Sequence, residues 1–226
     1  MWSVERNVKS RQYDNAGRRS HSEETKERIV SAARELMVAQ GYRATTIAAV
    51  AARAGVHVDT VYALVGRKPV LLRELIEQAI SGADRAVAAR ERDYVKAIRA
   101  TSDPVRKLTI YAGAMRQIQA RMAPLLLALR DASATEPEAE QVWREISDRR
   151  AANMRVLVQD LQAAGGLRSD LSVDEAADVI WATNSSELYV LLTVERGWPP
   201  DRYEHWLADA WSRLLLPDTL RTRQLP

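Results

Sequence analysis

TTIAAVAARAGVHVDTVYALVGRK, residues 45–68, is the stretch on which the reading of this 226-residue chain turns. Thr45 or Thr46 is placed to cap a short helix, its hydroxyl accepting from an early backbone N–H. Ile47, Val50, Ala51 and Ala54 form an inward stripe, and Gly55 follows where the chain needs a left-handed residue. Val56 returns to the core, and a second short helix begins around His57 to Asp59. Its buried side is Val61, Leu64 and Val65, which turns Val58, Asp59, Tyr62 and Ala63 outward. The small Ala51 precedes Gly55 by four residues, where two crossing helices touch. This is the helix-turn-helix pattern, whose second helix is built to enter a DNA groove. An inert helical hairpin shares the periodicity, but it does not need this turn length, alanine and glycine together.

Working outward, Gly66-Arg67-Lys68-Pro69 opens another helix with Val70, Leu71, Leu72, Leu75, Ile76 and Ala79 on its apolar side. Proline suits a first helical turn, because its missing N–H has no partner there anyway. Arg67 and Lys68 stand at the positive end of that helix's dipole, an unfavourable place for cations unless an anion binds there too. Upstream, Ile29, Val30, Ala33, Leu36 and Met37 recur at helical spacing. The spacing predicts a helix that starts at Ser20 or Ser22 and ends at Gly41, with Ser20 and Glu23 fitting a capping box. Residues 1–20 carry five cations and no apolar period, and they read as a flexible basic tail.

The chain carries a formal net charge of +3, and the excess is not spread evenly. Residues 1–81 hold 13 Lys and Arg against 9 Asp and Glu, whereas the remainder holds 20 against 21. The basic excess therefore sits with the helix-turn-helix. There is no cysteine, which removes disulfide scaffolds, thiolate zinc sites and cysteine nucleophiles, and the three histidines lack ligand-like spacing. No metal and no cofactor are expected. The first twenty residues lack the apolar core of a signal peptide, and the most apolar later segment, near residues 176–194, is interrupted by Asp178 and Glu187. The expectation is a cytoplasmic protein with no membrane partner.

Alanine, leucine, arginine and glutamate dominate, so the fold class expected is all-α. After a charged stretch with a short exposed helix, Asp103-Pro104 starts a long helix that Pro124 kinks or divides. Residues 136–137 start another, with Trp143, Ile146, Met154, Leu157, Val158 and Leu161 inward and Gly165-Gly166 at its end. Ser172 and Glu175 form a capping box ahead of a helix that is apolar on nearly every side from Val173 to Val194. A last helix follows Gly197-Trp198-Pro199-Pro200 with a wide stripe including Tyr203, Trp206, Leu207, Ala210, Trp211 and Leu214. Helices this apolar need cover on more than one face. Two of them at the end of a helical domain are expected to build a dimer interface as a four-helix bundle, through Leu188, Leu191, Tyr203, Trp206, Leu207, Ala210, Trp211 and Leu214.

The run Gly41-Tyr42-Arg43-Ala44-Thr45-Thr46-Ile47, with Ala51, Ala54-Gly55-Val56, Thr60-Val61-Tyr62 and Lys68-Pro69-Val70-Leu71-Leu72, resembles the TetR-type bacterial transcriptional regulators. The specific similarity covers roughly residues 24–80. Three positions depart from the family pattern: His57 stands where a capping serine is usual, Val65 where an aromatic is usual, and Pro69 where an acidic residue is common. The resemblance implies a homodimer with an N-terminal three-helix DNA-binding domain and a C-terminal helical ligand-binding and dimerisation domain. The expected division is 1–20, 21–67 and 68–226.

On that resemblance Thr46, Tyr62 and Lys68 match positions that grip phosphates, while Val58, Asp59, Thr60 and Ala63 match the surface facing base edges, with His57 at its edge. Apolar Val58 and Ala63 suit thymine methyl groups, and Asp59 suits a cytosine amino group. The implied activity is binding without chemistry to palindromic double-stranded operator DNA, as a repressor released by a small-molecule effector. For the effector, polar residues interrupting apolar faces are the candidates: Arg150 and Asn153 on one helix, and Asn184, Ser185 and Glu187 on the next. Tyr111, Met115, Trp143, Met154 and Trp181 complete the set. A ligand-blind DNA-binding or architectural protein stays open beside this reading. So does an all-helical enzyme, for which the sequence offers no nucleophile elbow, phosphate loop or clustered histidines.

Overall fold

The computed structural model describes residues 6–83 and 87–221, with side chains given from Ser20 on. Two compact units divide the chain, Met1–Leu75 and Ile76–Pro226, and the described residues of each form helices with no strand.

The first unit comprises α1 (Arg6–Ala44), α2 (Ile47–Ala54), α3 (Val58–Leu64) and the start of α4 (Lys68–Ser81). α1 packs on both short helices. Ile29, Ala33, Val50, Val61, Leu71, Leu72 and Leu75 have no exposed surface, so the apolar period of four successive segments closes one core. α1 is longer than the sequence suggests. Its backbone is helical from Arg6, and the Ser20 hydroxyl lies 3.4 Å from Glu24 inside the helix instead of capping its start. Nothing in residues 6–19 stops a helix, with one glycine and no proline, and a cap residue marks where a helix can begin rather than where it must. The expected tail is therefore helical from residue 6, and residues 1–5 lie outside the described residues. Gly41, with φ of 80°, breaks the helical geometry at the expected place.

The two units part after Leu75, within α4, whereas the sequence suggested a division between residues 67 and 68. Leu71, Leu72 and Leu75, in the first half of α4, are fully buried and belong to the first unit.

In the second unit a 3-10 turn (Ala89–Glu91) leads to α5 (Asp93–Ala100), α6 (Pro104–Ser133) and α7 (Pro137–Ala163). Then come α8 (Val173–Thr183), α9 (Ser186–Val190), a π-helical turn (Leu191–Glu195), α10 (Pro200–Leu215) and α11 (Asp218–Arg221). α6 is central and packs against α5, α7, α9 and α10. Asp103 caps it, accepting from the Val105 amide at 3.0 Å. Pro124 does not divide it. Pro124 and Ala120 are both exposed, so the Ala120 carbonyl that loses its amide partner faces water. The buried Lys107 joins three helices, donating to the Ile98 carbonyl at 2.8 Å and to Asp160 at 2.6 Å.

The expected single helix from Val173 to Val194 is broken. α8 begins at the expected capping box of Ser172 and Glu175 but stops at Thr183, and Ser185 starts α9 afresh by accepting from the Leu188 amide at 3.2 Å. Asn184 and Ser185 are cap-forming side chains, and here they outweigh the apolar run around them.

Gly166 is where the end of α7 meets the start of α6. A Cβ there would lie 2.4 Å from Pro104 Cβ. Gly166→Ala is expected to destabilise the chain by about 1–3 kcal/mol, measured as a lower urea midpoint at unchanged m-value. An unaltered midpoint would show that this junction yields freely.

Candidate nucleic-acid interface and buried polar network

In the first unit, α2 and α3 cross at 98° through a turn whose geometry follows from its sequence. Thr46 is the N-cap of α2 and accepts from the Ala49 amide at 3.1 Å. Gly55 adopts φ of 68° and ψ of 40°, a left-handed conformation costing other residues roughly 1–2 kcal/mol. The Val56 amide then donates to the Ala51 carbonyl at 3.0 Å, which closes the turn. With Val61 fully buried, the opposite side of α3 is left to solvent. Val58 is 37% and Tyr62 49% exposed; His57, Asp59 and Ala63 are exposed and Thr60 is half-buried.

His57 occupies the N-cap position of α3 with φ of −75° and ψ of 151°, yet its side chain makes no capping bond. Asp59 stands in the first turn, where its charge complements the helix dipole without replacing the cap. Lys68 is half-buried at the start of α4. Its ammonium donates to the Tyr42 carbonyl at 3.2 Å and sits 4.0 Å from the centroid of the Tyr42 ring. An ammonium has three donors, so one bond to Tyr42 holds it in place and leaves two to share.

Four of the eight residues expected at the interface, Thr46, Val58, Tyr62 and Lys68, line one open depression of about 500 Å³. Arg43 and Arg67 line it as well. Neither stood in the expected set, although Arg43 lies within the matching run and Arg67 beside Lys68. A cation's distance from the recognition helix depends on how the chain folds back at Gly41 and Gly66, and spacing in sequence does not give it.

In the second unit, five of the ten expected effector residues meet: Tyr111, Arg150, Met154, Trp181 and Asn184. The Asn184 amide donates to the Tyr111 hydroxyl at 2.9 Å, and that hydroxyl donates to Met154 sulfur at 3.2 Å. Arg150 donates to the backbone carbonyls of Trp181 and Asn184 at 3.3 and 3.0 Å, and its guanidinium lies 5.3 Å from the Trp181 ring centroid. Glu187 is half-buried and paired with Arg130. Met115 is a core residue and Trp143 is half-buried. The sequence reading missed Gln119, whose amide donates to the Asn184 carbonyl at 2.8 Å and accepts from Ser186 at 2.9 Å. A glutamine inside an apolar stripe was its available signal.

Tyr203, Leu207 and Trp211 require a correction. All three are fully buried within their own unit, where α10 packs on α6, so they cannot be contacts to a second copy. Trp211 stacks on Tyr111 at 5.3 Å and donates to Thr183 at 2.8 Å. Leu191 and Leu214 are exposed, as is Val194 three residues after Leu191, while Leu188, Trp206 and Ala210 are half-buried. A separate cavity of about 670 Å³ is lined by Tyr94, Gln117 and Arg121 among others, and by none of the expected effector residues.

Residues 29–75 match the family model described as bacterial regulatory proteins, tetR family. The N-terminal segment is a tetR-family helix-turn-helix. The match ends at Leu75, where the first compact unit ends. No curated protein matches the sequence. Among solved structures, most of the chain shares its fold with a protein assigned as a transcriptional regulator from Saccharomonospora viridis, solved in complex with choline. Identity is 20% and the TM-score 0.65, with 86% of this chain and 99% of that one covered. The regulator FadR from Bacillus subtilis, solved with stearoyl-CoA, is 18% identical at TM-score 0.66, covering 82% and 96%. FadR from Bacillus halodurans is 18% identical at TM-score 0.64, covering 83% and 94%. The all-α tetR-type fold thus extends beyond the N-terminal match.

The vacant cap at His57 makes a measurable difference. His57→Ser is expected to raise stability by about 0.5–1 kcal/mol by giving α3 a side-chain acceptor. Urea denaturation measures it, and a midpoint equal to that of the parent would mean the α3 amides are already satisfied.

Proposed function

We propose that the protein is a ligand-responsive transcriptional regulator that binds palindromic DNA as a homodimer and represses until a small molecule releases it. The observation that carries this reading is the exposed face of α3 beside a depression rimmed by Arg43, Arg67 and Lys68. An exposed helix supplies side chains for base edges, and neighbouring cations supply the phosphate contacts that fix register. Val58, Asp59, Thr60 and Ala63 face the bases in this reading, with His57 at the edge; Thr46, Tyr62 and Lys68 hold the backbone. Arg43, exposed and without an acidic partner among the described residues, joins them. Choline and stearoyl-CoA in two structural relatives support a small-molecule effector for the second unit.

The second copy docks through the exposed Leu191, Val194 and Leu214 with Leu188, Trp206 and Ala210, since apolar side chains in this arrangement lose little by leaving water. The effector acts through its differential affinity for two states of the dimer, and α4, which runs through the boundary between the units, is the covalent link available to transmit it.

Selection of bound DNA from a random pool is expected to return a palindrome with half-sites about one helical turn apart. Lys68→Ala and Tyr62→Ala are expected to weaken binding to every sequence, and Lys68→Ala to flatten the slope of log affinity against log salt by about one. Asp59→Ala is expected to change the preferred sequence instead. Recovery of no sequence preference would overturn the regulator reading, and full affinity in both Lys68→Ala and Tyr62→Ala would overturn the docking face.

A further inference from the structure

The second unit holds a half-buried cation that has no carboxylate in salt-bridge contact among the described residues. Arg150 reaches from α7 to the last carbonyls of α8, and among the described residues no carboxylate lies within salt-bridge distance of it. The acid that acts on it electrostatically, Glu187, is already paired with Arg130. Burial lowers the affinity of Arg150 for its proton, but a guanidinium remains charged in proteins. Its guanidinium lies 5.3 Å from the centroid of the Trp181 ring, the Tyr111 hydroxyl is bonded to the same Asn184 that it is, and the Tyr203 phenol lies within electrostatic reach of its charge. Burial raises the pKa of both phenols, so each keeps its proton and remains a donor.

Two of these donors have nothing to donate to. The Trp181 indole Nε1 and the Tyr203 hydroxyl are buried without a hydrogen-bond partner among the described residues, and Tyr203 has no exposed surface at all. The Tyr111 hydroxyl donates only to a thioether sulfur, a weak acceptor. Buried polar groups in folded proteins are nearly always partnered, and each orphan disfavours the fold that leaves it so. A positive charge without a salt bridge, two orphan donors and a third donor spent on sulfur would all be served by one anionic acceptor.

We infer that this cluster is the head-group site for a small organic carboxylate, with Arg150 as its counter-charge and Trp181 and Tyr203 as its flanking donors. A carboxylate fits better than a phosphate, because a single cation offsets one negative charge and a second charge left unpaired inside the protein is strongly disfavoured. The aromatic and thioether surroundings, Trp181, Tyr111, Trp211 and Met154, match an apolar body behind the head group. This inference rests on the regulator reading for its biological role, but its chemistry can be tested without DNA.

The experiment is calorimetric titration of the intact protein with three ligands that share one tail: octanoate, octanol and octyltrimethylammonium. Octanoate is expected to bind at least about ten times more tightly than octanol, and the cation not at all. Arg150→Lys keeps the charge and loses the planar fork, and octanoate affinity is expected to fall. Because Arg150 also caps α8, Tyr203→Phe gives an independent test. Removing an orphan hydroxyl should leave Tm unchanged or higher, while octanoate affinity drops about 10- to 100-fold through loss of a bond to a charged group.

Equal affinity for octanoate and octanol, preference for the cation, or no octanoate binding at millimolar concentration overturns the carboxylate site. So does a lower Tm for Tyr203→Phe, which would mean that a trapped water or internal group satisfies that hydroxyl. DNA affinity, measured separately with the selected palindrome, keeps the two readings apart. Octanoate that binds without altering DNA affinity leaves the site standing and removes its regulatory role. A palindrome bound tightly by a protein that ignores octanoate does the reverse.

Discussion

The backbone at Asn184 is the point on which the second unit depends. Its carbonyl takes hydrogen bonds from Gln119 of α6 and Arg150 of α7, and its side chain donates to Tyr111. These bonds form in an interior where an unmade one is costly, so they fix where α8 must stop and α9 begin. The break in turn directs Ser186 onto Gln119 and Thr183 toward Trp211 on α10. Five helices are thus registered by one polar junction rather than by apolar packing alone. An all-apolar core tolerates sliding and repacking, whereas a polar junction admits one arrangement.

The first unit solves a different problem with different means. Its core consists of apolar residues at helical spacing, and what it must specify is a surface. The fully buried Val61 and the small, buried Ala51 set how α3 lies against α2, and Gly55 sets the turn. Once those are fixed, the exposure of Val58, Asp59, Tyr62 and Ala63 is not an independent choice. Lys68 belongs to the same logic, because Tyr42, itself buried, holds the ammonium by its carbonyl and its ring.

How far the sequence could be read follows from this contrast. The helix-turn-helix was legible because its determinants are local: a threonine cap, an apolar period, and a glycine in a left-handed turn. The second unit was legible as a set of helices and illegible in its partnerships. Periodicity says that Tyr203, Leu207 and Trp211 must be covered, but it is silent on whether α6 or a second copy covers them. The run from Val173 to Val194 read as one helix because its apolar residues outnumber the Asn-Ser pair at its middle. The deciding energy there comes from Gln119 and Tyr111, more than sixty residues earlier in the chain. The start of α1 was misplaced for the opposite reason, since a segment without an apolar face gives periodicity nothing to find.

The polar junction also bears on how a ligand in the second unit would be felt. An effector shifts an equilibrium only by the difference in its affinity for the two states. A ligand that merely filled apolar space would bind both states of a well-packed bundle with similar affinity. A ligand that draws on Arg150 shares one guanidinium with the carbonyls of Trp181 and Asn184, which help to hold the α8 terminus in its present place. The head group and the helix terminus then share one limited set of donors, and occupancy of the site is coupled to the geometry of the break. That coupling needs no long chain of intermediates within the unit, because the same guanidinium would take part in both bonds. The strength of regulation would therefore depend on how unequally the two states divide the donors of Arg150, more than on how tightly the ligand binds.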